Sequence, residues 1–107
     1  MDAHTLEIAR KQAILCKALG NERRLVILWL IAKEELPVNE IAQRIGSSMQ
    51  NVSQHLKLLR QCGIVITRRE GQTIYYQLAD NEFVRQCYAL LHIPEQTESP
   101  IEAEIQF

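Results

Sequence analysis

Hydrophobic residues recur every three to four positions through most of the first sixty residues, a spacing typical of amphipathic helices. The pattern predicts four helices, over about residues 5–19, 22–33, 40–45 and 49–62. The second of these is hydrophobic on nearly all sides, so we expect it to lie at the centre of the fold. Residues that commonly cap helix N-termini precede the second, third and fourth helices, namely Asn21, Asn39 and Ser48.

Two runs of β-branched and aromatic residues follow, at residues 64–69 and 73–78, and Gly71 lies in the short link between them. This pattern predicts a β-hairpin with glycine at its tip. The third and fourth helices are joined by a tight turn that contains Gly46, which is the arrangement of a helix–turn–helix. The hairpin directly after it would form a wing. The predicted fold class is therefore mainly α with a small β-hairpin, a winged helix–turn–helix.

A last helix at about residues 82–92 completes the predicted order α-α-α-α-β-β-α, with Asp80 or Asn81 as its cap. We expect one domain over residues 1–94 and an acidic, loosely packed tail over residues 95–107. A chain of 107 residues with 47% hydrophobic residues is sized for one hydrophobic core. No apolar run is long enough to cross a bilayer, and no basic segment followed by an apolar one opens the chain. We therefore expect a cytoplasmic protein with no membrane partner.

The charge is distributed unevenly along the chain, although its formal sum is only −1. Residues 43–77 carry five cations and one anion, a local charge of +4, which leaves −5 for the remainder. The cations are Arg44, Lys57, Arg60, Arg68 and Arg69, and the anion is Glu70. A basic segment within an acidic chain indicates a local surface for a polyanion such as double-stranded DNA.

The polar face of the fourth helix has the composition of a recognition helix that enters the major groove. Glutamine and asparagine can pair in bidentate fashion with adenine, and serine tolerates several base edges. The candidates for base contacts are Ser48, Gln50, Asn51, Ser53 and Gln54, and the candidates for phosphate contacts on the same helix are His55 and Lys57. The candidates on the wing, suited to the minor groove or the backbone, are Arg68, Arg69, Gln72 and Thr73. A polar helix face is often only solvated, but here it coincides with a basic wing and a near absence of acids.

Several segments together resemble the arsenic-repressor (ArsR/SmtB) family of winged-helix regulators. They are Ala18-Leu19-Gly20-Asn21-Glu22-Arg23-Arg24-Leu25, Leu36-Pro37-Val38-Asn39-Glu40-Ile41-Ala42, Asn51-Val52-Ser53-Gln54-His55-Leu56-Lys57-Leu58-Leu59-Arg60, Gly63-Ile64-Val65 and Gly71-Gln72-Thr73-Ile74-Tyr75-Tyr76. The resemblance covers about residues 8–92. It implies a transcriptional repressor that forms a homodimer through its first and last helices, binds a palindromic operator and is released by an inducer.

The inducer is the least determined part of this interpretation. Metal-sensing members of the family often carry a Cys-x-Cys near the third helix, and residues 35–40 contain no thiol here. Near the last helix Asp80, Glu82, His92 and Glu95 depart from the family spacing, and one histidine among carboxylates is a poor site for a soft metal. We therefore predict no metal and no cofactor, and interpret these residues as caps and surface charges.

The cysteines offer a second route to sensing. The resemblance implies that Cys16 on the first helix and Cys87 on the last lie near each other at the dimer interface, as candidates for sensing persulfides or oxidants. The thiol that relatives carry on the second helix is replaced by Trp29. Both cysteines could equally be buried as small hydrophobic residues. Cys62, at the end of the recognition helix, could be oxidised in a way that disturbs DNA binding directly.

Two other function classes compete with a DNA-binding repressor. A winged-helix module that binds only proteins would account for the acidic remainder and tail, and it would show no duplex binding at any salt concentration. An enzyme is disfavoured because the sequence offers no nucleophile–base–orienter set and no glycine-rich phosphate loop. We predict that the protein is not an enzyme.

Overall fold

The computed structural model describes residues 1–82, 84 and 85. Its elements are α1 (Ala3–Leu19), α2 (Glu22–Lys33), β1 (Leu36–Pro37), α3 (Val38–Ile45), α4 (Met49–Gln61), β2 (Val65–Glu70) and β3 (Thr73–Leu78). The predicted winged helix–turn–helix is confirmed: α3 and α4 form the helix–turn–helix, and β2, β3 and their turn form the wing. The remainder of the predicted last helix, the acidic tail and Cys87 lie outside the described residues.

Local capping chemistry accounts for most of the helix boundaries. Asn21 Oδ1 accepts hydrogen bonds from two backbone N–H groups of the first turn of α2, and Ser48 Oγ accepts one from Asn51 N. Gly46 ends α3 in the left-handed conformation, at φ 68°. The first helix begins two residues earlier than predicted because Asp2 Oδ1 accepts a 2.7 Å hydrogen bond from Thr5 N.

The prediction that Asn39 caps α3 is wrong. The helix already begins at Val38, and the capping position is occupied by Pro37, whose side chain makes no capping hydrogen bond. Pro37 is extended, at φ −80° and ψ 163°, because it pairs with β3. Of the two residues predicted to cap the last helix, Asn81 takes the role, since its Oδ1 accepts from Val84 N at 2.9 Å.

The wing belongs to a three-stranded antiparallel sheet of order β1-β3-β2, and β1 was not predicted. Leu36 pairs with Tyr76, and Thr67 pairs with the same tyrosine from the other side. Directly paired residues of an antiparallel sheet point to the same face, and faces alternate along each strand. One face, which we call the inner face, therefore carries Val65, Thr67, Arg69, Ile74, Tyr76 and Leu78. The outer face carries Arg68 and Tyr75.

The hydrophobic core holds the recognition helix α4 against the other helices. Its best-buried side chains come from α2, α3, α4 and the segment before β2, each at most 1% exposed: Ile27, Ile41, Val52, Leu56, Leu59 and Ile64. Helix α1 contributes only Leu15 and Ala18. Three large hydrophobic residues of α1 are instead 38–53% exposed: Leu6, Ile8 and Ile14. The recognition helix is thus held by buried side chains, whereas α1 leaves these three hydrophobic side chains exposed.

Candidate nucleic-acid interface

The predicted base-reading residues divide into two groups at the start of α4. Ser48 caps the helix, and the side-chain amide of Asn51 donates to Ser47 Oγ at 3.3 Å, so both residues build the turn between α3 and α4. Gln50, Ser53 and Gln54 are exposed to solvent on the following turns. These three side chains are therefore the ones available to meet base edges, whereas Ser48 and Asn51 set the direction of the helix.

The two candidate phosphate contacts on α4 lie in different surroundings. Lys57 is exposed, but His55 is half-buried beside Arg24 of α2, whose Nη1 lies 3.5 Å from His55 Nδ1. Burial lowers the pKa of His55, and the nearby cations Arg24 and Arg23 lower it further. A neutral, half-buried imidazole is a poor phosphate ligand, so the geometry favours Lys57 for that role and an internal role for His55.

The two wing arginines point to opposite faces of the sheet. On the outer face, Arg68 donates to Glu35 (Nε to Oε1, 3.0 Å) and to Glu70 (Nη1 to Oε1, 2.9 Å), and its guanidinium lies 4.8 Å from the centre of the Tyr75 ring. The hydrogen bond from Arg68 lowers the pKa of Glu35, so that carboxylate stays ionised. Arg68 therefore fastens the wing to the segment before β1.

Arg69 lies on the inner face, near the hairpin tip, and is exposed. Its Nε donates to the carbonyl of Gly71 at 3.1 Å. Gln72 and Thr73 are exposed at the same tip. Since the inner face is the one that packs against the domain, Arg69 rather than Arg68 is the wing cation on the side of the recognition helix.

A cleft of about 340 Å³ separates α4 from β3. It is lined by Ser53, Lys57, Arg60, Gln61 and Tyr76. Three of these were not among the predicted contacts: Arg60, Gln61 and Tyr76. Arg60 follows Ser53 by seven residues and Lys57 by three, so helical periodicity could have found it. Tyr76 could not be found in this way, because its place depends on how the wing packs against α4.

Three of the five cations in residues 43–77 have no carboxylate partner among the described residues. Within residues 1–82, 84 and 85, Lys57, Arg60 and Arg69 form no ion pair, whereas Arg44 binds Glu34 and Glu40 at 3.2 and 3.3 Å. Arg44 and Arg68 are thus the two of the five cations in the basic segment that form ion pairs with carboxylates. Of the remaining three, Lys57 and Arg60 line the cleft, where an anionic backbone could lie, and Arg69 lies on the inner face of the wing.

The candidate sensing residues are only partly described. Cys16 is exposed on α1 and Cys62 is half-buried at the end of α4, whereas Cys87 lies outside the described residues. The acids weighed as metal ligands are engaged differently: Asp80 binds Arg85 at 2.7 Å, and Glu82 lies 3.8 Å from the same side chain. Over the part of the chain that the structure covers, no three potential metal ligands come together, and no helix is long and apolar enough to cross a membrane.

Comparison with known proteins gives concordant results. A family model described as a helix-turn-helix domain matches residues 19–68. The transcriptional activator HlyU of Vibrio cholerae is 45% identical over 82 residues, which cover 77% of this chain and 75% of that protein. The biofilm growth-associated repressor of Agrobacterium fabrum is 36% identical over 91 residues, which cover 82% of this chain and 78% of that protein.

Solved structures agree with the sequence relatives. Reduced HlyU from Vibrio cholerae superposes with a TM-score of 0.72 at 39% identity, covering 81% of this chain and 92% of that chain. The homodimeric winged helix-turn-helix DNA-binding domain of Mb0332 from Mycobacterium bovis superposes with a TM-score of 0.74 at 37% identity, covering 84% of this chain and 82% of that chain. Both identities are high enough for the similarity to concern the family as well as the fold.

Proposed function

We propose that this protein represses transcription as a homodimer on a palindromic operator and that an inducer releases it. The chain belongs to the arsenic-repressor (ArsR/SmtB) family of winged helix–turn–helix transcriptional regulators, which are not enzymes. The observation that carries this proposal is the surface formed by α4 and the inner face of the wing. There, exposed hydrogen-bonding side chains adjoin three unpaired cations.

The division of labour on this surface follows from the chemistry of the side chains. Lys57, Arg60 and Arg69 supply affinity by neutralising phosphates and releasing counterions, which carries little sequence information. Gln50 and Gln54 project from the first two turns of α4 and can form bidentate hydrogen bonds with adenine in the major groove. The core beneath α4 fixes the backbone from which these side chains project.

The apolar surface of α1 supports the dimer. Leu6 and Ile14, which lie within about 80° of each other around α1, are 38% and 53% exposed, and burying them against a second copy would stabilise a domain this small. The similar domain of Mb0332 is homodimeric. A two-fold dimer places two recognition helices about one helical turn of DNA apart, which requires a palindromic operator.

Fluorescence anisotropy on a duplex from the protein's own promoter, compared with a scrambled duplex, tests the repressor function. Replacing Gln54 with alanine should cost about 1–3 kcal/mol on the promoter duplex at one base pair of each half-site and leave the scrambled duplex unaffected. Gln77→Ala, on the outer face of the wing, is the matched control and should change neither. Equal weakening on both duplexes would contradict base reading by Gln54, and absence of duplex binding at all salt concentrations would favour a protein-binding module.

We infer that the inducer acts on thiols, through Cys16 together with Cys87, rather than as a metal. Support comes from the exposure of Cys16 on α1, the helix assigned to dimerisation. Duplex binding should be retained in reductant, lost after a persulfide or mild oxidant, and kept after the same treatment in Cys16→Ala. Tight binding of the wild-type protein under both conditions would refute thiol sensing and leave the repressor function intact.

A further inference from the structure

The guanidinium of Arg24, a residue of α2, contacts two other helices at once. It lies in the first turn of α2, and its Nε donates to the carbonyl of Ala18 at 2.6 Å while its Nη2 donates to the carbonyl of Lys17 at 3.2 Å. Its Nη1 lies 3.5 Å from Nδ1 of His55, on the recognition helix. Arg24 thus joins the end of α1 to the middle of α4.

The contacts with α1 follow from the chemistry of helix termini. The last four carbonyls of a helix lack intrahelical partners and form the negative end of its dipole, which favours a nearby cation. Arginine can satisfy several acceptors because its five donors are held in a planar arrangement, which a lysine ammonium cannot reproduce. The side chain is half-buried, so water replaces these contacts only in part.

The contact with His55 fixes the protonation state of the imidazole. Arginine only donates hydrogen bonds, so a hydrogen bond across this 3.5 Å contact requires a neutral ring whose Nδ1 accepts and whose proton is on Nε2. Burial lowers the pKa of His55 below the ordinary value of 6.5, and the positive charges of Arg24 and Arg23 lower it further. Both of these charges come from α2, while α1 presents its backbone carbonyls to the same guanidinium.

We propose that Arg24 and His55 are positioning residues for DNA recognition, which fix α4 against the end of α1 and loosen that hold when His55 is protonated. Protonation removes the acceptor at Nδ1 and places two like charges side by side. Since α1 carries the apolar surface assigned to dimerisation, the same contact relates the orientation of the recognition helix to the dimer. This inference rests on the proposed function for its DNA-binding readout only.

The sign of the pH effect follows from the lowered pKa. The unfolded chain takes up a proton on His55 near pH 6.5, before the folded protein does. The stabilisation is therefore complete above about pH 6.5 and is lost as the pH falls from there through the folded-state pKa. Ordinary phosphate attraction has the opposite sign, because a protonated histidine on the DNA surface would strengthen binding at low pH.

The contact itself can be tested without DNA. Nitrogen-15 NMR of the full chain should show His55 as the Nε2–H tautomer near neutral pH and a titration midpoint below 6.5. Arg24→Lys should move that midpoint upward, because a lysine ammonium cannot keep the donation to Nδ1 while also binding the carbonyls of α1. A proton on Nδ1, or a wild-type midpoint at or above 6.5, would overturn the proposal.

Duplex binding tests the positioning role, at a temperature where every variant is folded by circular dichroism. Arg24→Lys and His55→Ala should each weaken promoter binding by about fivefold at pH of about 7.5, and the double variant should be no weaker than either. The slope of affinity against salt should not change. Arg23→Lys, the same charge-conserving substitution on the same helix turn, is the matched control and should bind like the wild type.

The pH profile separates this role from a purely structural one. His55→Asn keeps an acceptor near the position of Nδ1 but cannot titrate, so it should bind within about twofold of the wild type near neutral pH. Between about pH 7.5 and about pH 5.5 the wild type should lose several-fold more affinity than His55→Asn. Full affinity in Arg24→Lys, or identical pH profiles for wild type and His55→Asn, would overturn the proposal. If the wild type bound no duplex, the proposed function would fail while the NMR result still decided the contact.

Discussion

The two wing arginines should affect the salt dependence of duplex binding differently. Arg69 is exposed on the inner face of the wing and forms no ion pair within the part of the chain that the structure describes. Arg68 is held on the outer face by Glu35 and Glu70 and by the ring of Tyr75. We therefore expect Arg69→Ala to remove a phosphate contact and Arg68→Ala to remove none.

The expected magnitude follows from counting unpaired cations. With respect to the described residues, three of the five cations in residues 43–77 form no ion pair, which gives six in a homodimer. At about −0.9 per neutralised phosphate, they predict a slope of log affinity against log salt of about −5, whereas all ten cations would give about −9. Arg69→Ala removes two contacts per dimer, so the slope should become less steep by about 2. A fourfold increase in salt should then weaken the wild type about tenfold more than Arg69→Ala.

Anisotropy titrations of the promoter duplex across a salt series measure these slopes directly. Arg68→Ala should keep the wild-type slope, with a uniform loss of affinity on all duplexes because the wing loses its link to Glu35. A slope for Arg68→Ala that flattens as much as that of Arg69→Ala would refute the reasoning. It would mean that Arg68 leaves its carboxylates to neutralise DNA.

Three further predictions concern the stability of the helix–turn–helix, measured as the free energy of unfolding in urea. Leu59→Ala should lose about 2–5 kcal/mol because the side chain is fully buried, and a loss well under 1 kcal/mol would contradict its place in the core. Gly46→Ala should lose about 1–2 kcal/mol through the left-handed backbone alone, since no atom lies within 4 Å of an added Cβ, and Gly46→Asn should lose less. Ser48→Ala should lose about 1 kcal/mol by uncapping α4, and an unchanged unfolding curve would refute the capping role.

Local signals in the sequence predicted most of the fold. Asn21 and Ser48 cap the helices they were expected to cap, and Gly46 adopts the left-handed conformation expected of it. Each of these features depends on groups within a few residues of one another, which a pattern in the sequence records. The same reasoning failed for Asn39. Pro37, two residues earlier, is extended and pairs with β3, and α3 begins directly after it at Val38.

Contacts between distant residues could not be predicted in this way. Strand β1 has two residues, and its partners lie about forty residues further along the chain. The pairing of Arg68 with Glu35 spans 33 residues and that of Arg24 with His55 spans 31. Both contacts depend on how distant elements of the fold pack together, and both changed the interpretation of a candidate site residue. The sequence predicted most residues of the candidate DNA-binding surface. It could not predict which of the cations there form ion pairs with carboxylates.

The short strand β1 has a consequence for how molecules of this protein associate. The free edges of the sheet are β1 and β2, and exposed strand edges tend to pair with other chains. One edge is only two residues long and includes Pro37, which has no N–H to donate, and the other carries Arg68, Arg69 and Glu70. Neither edge is a good template for strand addition. This arrangement of the strand edges lowers the risk that molecules of this protein aggregate through their sheets.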